Sequence, residues 1–261
     1  MRARFTLLFL VFFAGLTALV GAAEPDAATI MKKMTEANQS QAAVSKAKMI
    51  LIDKSGGQRI RDLLTRTKLI NGVRNTVTTF LSPPDVKGVK FLVVETKNAD
   101  DNQRLYLPAM KRVRRITSAN KSGAFMGSTF SYADLQAVDP DKGTHKRLAD
   151  ATVDGASCYV IESLPKKDGD SIYGKTINWV RKDNYFPVRG QFFDKKGALW
   201  KTLEVSQLEQ RADGTWMARR SKMNDVQAGT ATIMELGEYQ LNVKLDDQFF
   251  TERFLSDESQ Q

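Results

Sequence analysis

Apolar and polar residues alternate along most of the chain after Ser45, in short segments separated by turn-forming residues. A period of two is typical of a β-strand with one buried face. Asn71-Gly72 and Asp213-Gly214 predict hairpins, and Asp194–Gly197 predicts a longer turn. Short strands joined by tight turns favour antiparallel pairing, so the pattern predicts a mainly β domain of about a dozen strands. The clearest candidate strands are Val73–Leu81, Val89–Glu95, Ile177–Val180, Phe186–Phe193, Leu199–Val205, Trp216–Ser221 and Thr230–Leu236.

Two candidate strands differ in the character of their faces. In Val73–Leu81, one face is apolar and the other carries Arg74, Thr76 and Thr78, which indicates a sheet that is open to water on one side. In Val89–Val94 both faces are apolar, so we expect this strand to be covered on both sides. Together with the helix and the apolar loop described next, this favours a curved sheet whose concave face is covered by helical lids.

A helix is predicted before the first strand, from Pro25 to about Gln39. Asp26 can cap its amino end, because a side-chain oxygen at this position accepts a hydrogen bond from the first turn. Ile30, Met31 and Met34 recur at helical spacing and form one apolar stripe, which must pack against the rest of the protein.

The segment Gly123–Leu135 reads as a loop, yet it is rich in large apolar side chains. Loops are normally polar because their backbone remains hydrated, so this loop needs an apolar surface to lie against. One interpretation is a plug of the protein core. The other is a movable lid, with Gly123 and Gly127 as hinges and a short helix capped by Ser131. The apolar residues are Phe125, Met126, Phe130 and Leu135.

A strongly basic strand follows a predicted turn at Pro108-Ala109. Positive charge on both of its faces is typical of an edge strand protected against aggregation. The same charges are suited to docking on anionic headgroups or on an acidic partner, and the two roles are compatible. The basic residues are Lys111, Arg112, Arg114 and Arg115.

The amino terminus has the pattern of a secretory signal. Arg2 and Arg4 precede an apolar run from Phe5 to Val20, and small residues follow, which predicts cleavage after Ala23 and export from the cytoplasm. An uncleaved membrane anchor is the alternative. We expect residues 24–261 to form a single domain. The chain has a net charge of +9, and outside the cytoplasm its partners are anionic lipids or acidic proteins rather than nucleic acid.

Catalytic residues are scarce. His145 is the single histidine and lies in a polar stretch, and Cys158 is the single cysteine and lies in an apolar one. One histidine and one cysteine cannot supply the usual zinc or transition-metal ligand set, and no nucleophile elbow or phosphate-binding loop is present. We therefore predict a protein that is not an enzyme, with no metal and no cofactor. A lipid hydrolase has little support.

The blocks Phe80–Glu95 and Leu105–Leu135 resemble the outer-membrane lipoprotein-sorting family, the LolA-like periplasmic lipid carriers. The resemblance extends from about Ile30 to Phe254. It implies an incomplete antiparallel β-barrel, closed by the N-terminal helix and a short helical lid, that encloses an apolar cavity. The strand pattern alone also allows an ordinary sandwich or a lipocalin-like barrel.

The function that the resemblance implies is non-catalytic transport of lipid, or of the acyl chains of a lipoprotein, across the periplasm. A membrane exporter of the resistance–nodulation–division type is a partner by resemblance, together with peripheral contact with the membrane surface. The alternative is a sensor of the same fold that detects lipid or protein and signals to a membrane partner. The predicted cavity lining is Ile30, Met31, Met34, Phe91, Val93, Phe125, Met126, Phe130 and Leu135.

Overall fold

A computed structural model describes residues 24–37, 39–96, 101–167 and 171–257. The predicted signal, residues 1–23, lies outside the described residues. Within them, fourteen strands form one antiparallel sheet, in the order β6-β5-β4-β3-β2-β1-β14-β13-β12-β11-β10-β9-β7, and β8 pairs with β9 beside this path. The sheet is open between its edge strands β6 and β7, so the prediction of an incomplete antiparallel barrel is confirmed. Its centre is the pair of β1 and β14, from opposite ends of the domain.

The strands are β1 Ala42–Ile52, β2 Gln58–Ile70, β3 Val73–Ser82, β4 Lys90–Val94, β5 Asn102–Leu107, β6 Arg112–Arg115, β7 Gly143–Arg147, β8 Ala151–Val153, β9 Ala156–Pro165, β10 Lys175–Arg181, β11 Pro187–Phe193, β12 Leu199–Gln210, β13 Trp216–Asp225 and β14 Thr230–Leu241. The α-helices are α1 Ala27–Glu36 and α2 Glu252–Ser256, and short 3₁₀ turns lie in the connections. Neither α-helix in these ranges has the length and apolar character needed to span a membrane.

The predicted hairpins are present, but several strands continue past their predicted ends. Asn71 and Gly72 both adopt positive φ between β2 and β3, as a tight hairpin turn requires. Strand β12 extends to Gln210, five residues past its predicted end at Val205. Gln207 adopts a left-handed φ of 54° between Ser206 and Leu208, and the pairing with β13 continues in the same register on both sides of it.

The two faces of the sheet have different covers. We call the side that carries Phe91 and Val93 the inner face and the side that carries Leu92 the outer face. On the outer face, Leu92 and Val77 pack against the C-terminal segment, including Phe254. Strand β4 is thus covered on both sides, as its two apolar faces predicted.

Helix α1 covers the inner face at the far end of the sheet. Asp26 Oδ1 accepts a hydrogen bond from the Thr29 amide at 2.7 Å, which confirms the predicted cap. The stripe of Ile30 and Met31 is buried against strands β9 and β10, where it meets Ile161. The strand register, followed across the sheet, places Ile161 on the same face as Phe91.

Candidate functional site

The other end of the inner face is covered by residues 121–137, which we call the covering loop. Its centre is a small hairpin in which the Phe125 amide donates to the Phe130 carbonyl at 2.7 Å, and the Tyr132 amide donates to the Gly123 carbonyl at 3.1 Å. The tip turns at Met126 and Gly127, with φ of 49° and 74°. Glycine adopts this left-handed conformation without steric cost, which accounts for Gly127 at the tip.

Phe125 is the part of the covering loop that packs as core. Its side chain is 3% exposed, and its ring centroid lies 5.0 Å from that of Phe91, 5.8 Å from Phe80 and 5.7 Å from Tyr132. Tilted and edge-on rings at these separations attract each other beyond the burial of apolar area. The interpretation of the loop as a core plug therefore describes Phe125.

Two polar contacts connect the middle of the covering loop to the sheet. Arg61 Nη1 on β2 donates to the Met126 carbonyl at 2.5 Å, and burial lowers the pKa of this guanidinium. The Thr129 amide donates to Thr232 Oγ1 on β14 at 2.8 Å. Because each contact satisfies a backbone group of the loop, the loop lies on the sheet with few unpaired polar groups.

A buried ion pair fixes the end of the covering loop. Asp134 lies in one 3₁₀ turn, Ala133–Leu135, which is shorter than the helix predicted there. Lys201 Nζ on β12 lies 2.9 Å from Asp134 Oδ2, and the two side chains are 3% and 5% exposed. The Tyr173 hydroxyl donates to Asp134 Oδ1 at 2.6 Å, and burial beside this carboxylate raises the pKa of Tyr173. Ser131 contributes two further hydrogen bonds, from its amide and its hydroxyl.

Between the covering loop and the inner face lies a cleft of about 400 Å³, which we call the apolar cleft. The space is a cleft rather than the enclosed cavity that the family resemblance implied. Hydroxyl and charged groups line its polar wall, among them Thr65, Thr76, Thr78, Arg74 and Glu95. Its apolar wall is formed by Met49, Leu63, Phe91, Val93, Phe125, Phe130, Leu135 and Met234.

The structure brings together only part of the predicted lining. Five predicted residues meet at the apolar cleft, and Met126 packs against the adjoining core cluster. Ile30, Met31 and Met34 lie in a separate cluster on β9 and β10 and do not line the cleft. The reason is the strand order: the chain places α1 over β9 and β10, many strands from β4. The five that meet are Phe91, Val93, Phe125, Phe130 and Leu135.

Both the sequence and the fold of this chain have known relatives. A family model described as "uncharacterized protein" matches residues 72–257. A solved structure named as an outer membrane lipoprotein-sorting protein domain, from Vibrio parahaemolyticus, is 31% identical and has a TM-score of 0.83, over 88% of this chain and 98% of that one. The chain belongs to the outer membrane lipoprotein-sorting protein family.

Two further solved structures share the fold of this chain. A DUF1329 family protein from Desulfovibrio piger is 31% identical, with a TM-score of 0.83 over 87% of this chain and 97% of that one. A LolA superfamily protein from Nitrosomonas europaea shares the fold at 18% identity, with a TM-score of 0.69 over 88% of this chain and all of that one. No curated protein sequence matches the chain.

In this member of the lipoprotein-sorting family, the basic strand is β6, at one edge of the sheet. The predicted edge position is confirmed. The strand is preceded by a 3₁₀ turn, Pro108–Met110, in which Met110 is 65% exposed. Val113 is partly buried against the outer-face cluster, so the strand is anchored by one apolar side chain between its charges. The exposed cations are Lys111, Arg112, Arg114 and Arg115.

The single histidine and the single cysteine both make contacts within the folded protein. His145 Nδ1 lies 2.8 Å from Ser163 Oγ, and Nε2 lies 2.8 Å from the Pro140 carbonyl. Cys158 is fully buried, as its apolar surroundings in the sequence predicted, and burial raises the pKa of its thiol. In the part of the chain that the structure describes, no group of three or more histidine, cysteine, aspartate or glutamate residues is placed to hold a metal ion.

Sequence reasoning missed four polar residues of this site. Arg61, Lys201 and Thr232 occupy inner-face positions on their strands, and Tyr173 precedes β10. A signal was available for Lys201, because a lysine at an inward position of a strand is atypical unless it has a partner. Its partner Asp134 lies far away in the sequence, so the pairing itself could be found only in the fold.

Proposed function

We propose that this protein is a non-catalytic carrier, which binds lipid or the acyl chains of a lipoprotein in the apolar cleft and shuttles them across the periplasm between membranes or to and from a membrane transporter. The observation that carries the proposal is the apolar cleft beneath a loop whose residues form one wall of it, including Phe130 and Leu135. Membership of the lipoprotein-sorting family supports the class of cargo.

The free energy of hydration makes such a carrier necessary. Each exposed CH₂ costs roughly 0.8 kcal/mol, so a fatty acyl chain cannot cross an aqueous compartment unaided. A cleft of about 400 Å³ is within the roughly 300–1,000 Å³ typical of small-molecule sites. For the apolar cleft to accommodate a long acyl chain, the covering loop must move away from the sheet.

The attachment of the covering loop is suited to such a shift. Around Phe130 the loop is held by individual hydrogen bonds, from Arg61 to the Met126 carbonyl and from Thr129 to Thr232. Its end at Asp134 is fixed more firmly by the buried pair with Lys201. We therefore propose that the loop opens at Met126–Phe130 while Asp134 remains in place.

The basic strand provides a surface for docking on a membrane. Arg112, Arg114 and Arg115 are exposed at the edge of the sheet, beside exposed Met110. Each such cation contributes about 1 kcal/mol near an anionic leaflet. This surface places the carrier against the membrane during loading or release.

Native mass spectrometry of the protein purified from its own periplasm tests the carrier function directly. We expect a co-purifying lipid that is lost on mild delipidation, and displacement of a fluorescent fatty acid by that lipid. Protein that is free of lipid and does not bind a fluorescent fatty acid at micromolar concentration would contradict the proposal.

A further inference from the structure

The inner face changes from apolar to polar along strands β1–β3. Beyond Thr76 it continues into a second cleft of about 270 Å³, which we call the polar cleft. Arg74 and Thr76 line both clefts, so the two clefts are neighbours on the inner face. Cross-strand hydroxyl pairs, Thr65 with Thr78 and Thr67 with Thr76, are each 3.2 Å apart and run along the junction.

Arg74 has unused hydrogen-bonding capacity at this junction. Its Nη2 atom is buried and has no hydrogen-bond partner among the described residues. Its Nε atom lies 3.8 Å from Glu95 Oε1, which is too long for a hydrogen bond. Buried guanidinium donors are normally satisfied, so an unsatisfied one in the wall of a cleft indicates a missing acceptor. A guanidinium binds carboxylate and phosphate oxygens through two parallel hydrogen bonds.

The surroundings of Arg74 favour an anion. Arg211 adds a second guanidinium to the wall of the polar cleft, and its Nε donates to Thr215 Oγ1 at 2.6 Å and lies 3.8 Å from Asp213 Oδ1. Among the described residues that line the two clefts, Glu95 is the one carboxylate. Burial raises the pKa of Glu95. Nearby Arg219 differs from Arg74 in being paired with a carboxylate, because its Nε atom donates a hydrogen bond to Glu209 Oε2 at 2.5 Å.

We propose that the two clefts together bind a single amphiphile, whose acyl chain lies in the apolar cleft and whose oxyanionic headgroup, a phosphate or a carboxylate, is bound by Arg74. The inference rests on the proposed carrier function and narrows its cargo to acyl compounds with a negative charge close to the chain. The headgroup occupies the polar cleft on the side of Arg211.

Binding of matched acyl compounds tests this assignment. The probes are palmitate, palmitoyl lysophosphatidate, uncharged monopalmitoylglycerol and inorganic phosphate, each measured by titration calorimetry. We expect Arg74→Gln to weaken binding of the two anionic lipids by about tenfold, which corresponds to about 1.4 kcal/mol, and to leave binding of monopalmitoylglycerol unchanged. The control is Arg253→Gln, which removes the same charge from an exposed position on α2. It should alter none of these affinities.

A second variant gives a change in the opposite direction. Glu95→Gln removes the carboxylate that lies closest to Arg74, so we expect the anionic lipids to bind more tightly, which mere loss of stability cannot produce. If Arg74→Gln weakens the binding of neutral and anionic lipids equally, or weakens neither, the assignment of Arg74 to the headgroup is overturned. Such a result would not contradict the proposed carrier function. Phosphate that binds alone as tightly as lysophosphatidate would indicate a free-phosphate site and also overturn it. Failure of the wild-type protein to bind any acyl compound refutes carriage and this inference together.

Discussion

Phe125 and Phe130 are both phenylalanines of the covering loop, but the structure predicts that their truncation has different consequences. Phe125 is 3% exposed and surrounded by three aromatic rings, whereas Phe130 is partly exposed and faces the apolar cleft. Phe125→Ala should therefore reduce the free energy of unfolding, and Phe130→Ala should mainly reduce the affinity for an acyl ligand.

The magnitudes follow from burial. Truncation of a fully buried phenylalanine costs about 3–5 kcal/mol, and the three ring contacts of Phe125 favour the upper half of that range. At about 2–4 °C per kcal/mol for a domain of this size, Phe125→Ala should lower the melting temperature by roughly 8–20 °C. Complete burial of a phenylalanine side chain contributes roughly 1.5–3 kcal/mol to stability. Because Phe130 is only partly buried, Phe130→Ala should lower the free energy of unfolding by about 1 kcal/mol.

The assay combines thermal melting with the affinity for a fluorescent fatty acid, measured well below the melting temperature. Phe130→Ala should weaken binding by about tenfold, or about 1.4 kcal/mol. The matched control is Phe193→Ala, since Phe193 on β11 is also partly buried but does not line the clefts. It should change the melting temperature by a few degrees at most and leave affinity unchanged.

A large fall in melting temperature for Phe130→Ala, with unchanged affinity, would refute this reasoning. The covering loop would then be packing alone, and the cargo site would lie elsewhere. A melting temperature for Phe125→Ala close to that of the wild type would contradict the assignment of Phe125 to the core.

Three further predictions concern other parts of the chain. Lys201→Met leaves the Asp134 carboxylate buried without its cation and should cost about 3–5 kcal/mol of stability, measured by chemical denaturation. A double variant that also carries Asp134→Leu should recover part of this loss. Cys158 is fully buried with a raised thiol pKa, so a thiol reagent should label the native protein on the order of 100-fold more slowly than the unfolded one. N-terminal sequencing of the protein recovered from a periplasmic fraction should give Glu24 as the first residue. Recovery of the intact chain from the membrane fraction would contradict cleavage.

The features that could be predicted from sequence are those set by neighbouring residues. Asp26 caps α1, Asn71-Gly72 forms a hairpin, and the two apolar faces of β4 are both covered. Each of these depends on a local pattern: a capping side chain, a turn that needs positive φ, or an alternation of period two.

The position of each cover depended on long-range pairing and could not be predicted. The stripe of α1 requires an apolar surface but does not specify which one, and Ile30 packs on β9 and β10 rather than beside Phe91. The same limit applies to Asp134 and Lys201, which are paired only because the covering loop crosses the inner face to β12.

The polar face of β3 shows how a correct local pattern led to an incomplete interpretation. Arg74, Thr76 and Thr78 do share one face, as the alternation indicated, and solvent reaches them through the clefts. That face was expected to be an ordinary wet surface. It is instead the floor of the candidate binding site, because the covering loop lies over part of it.

The C-terminal segment covers the outer face of the sheet and the covering loop covers part of the inner face, and the free energy needed to displace them differs. The C-terminal segment on the outer face is held by an apolar cluster that includes Leu255, and by buried Lys90, whose Nζ donates to the carbonyls of Phe254 at 3.0 Å and Asp257 at 2.7 Å. Exposure of that cluster would cost the hydrophobic free energy of every side chain in it. On the inner face, the threonine hydroxyls and Arg74 are already polar, and water or a headgroup can satisfy them when the covering loop shifts. The proposed carrier function requires a fold that is stable and can also open, and we expect the outer face of the sheet to supply the stability and the inner face the opening.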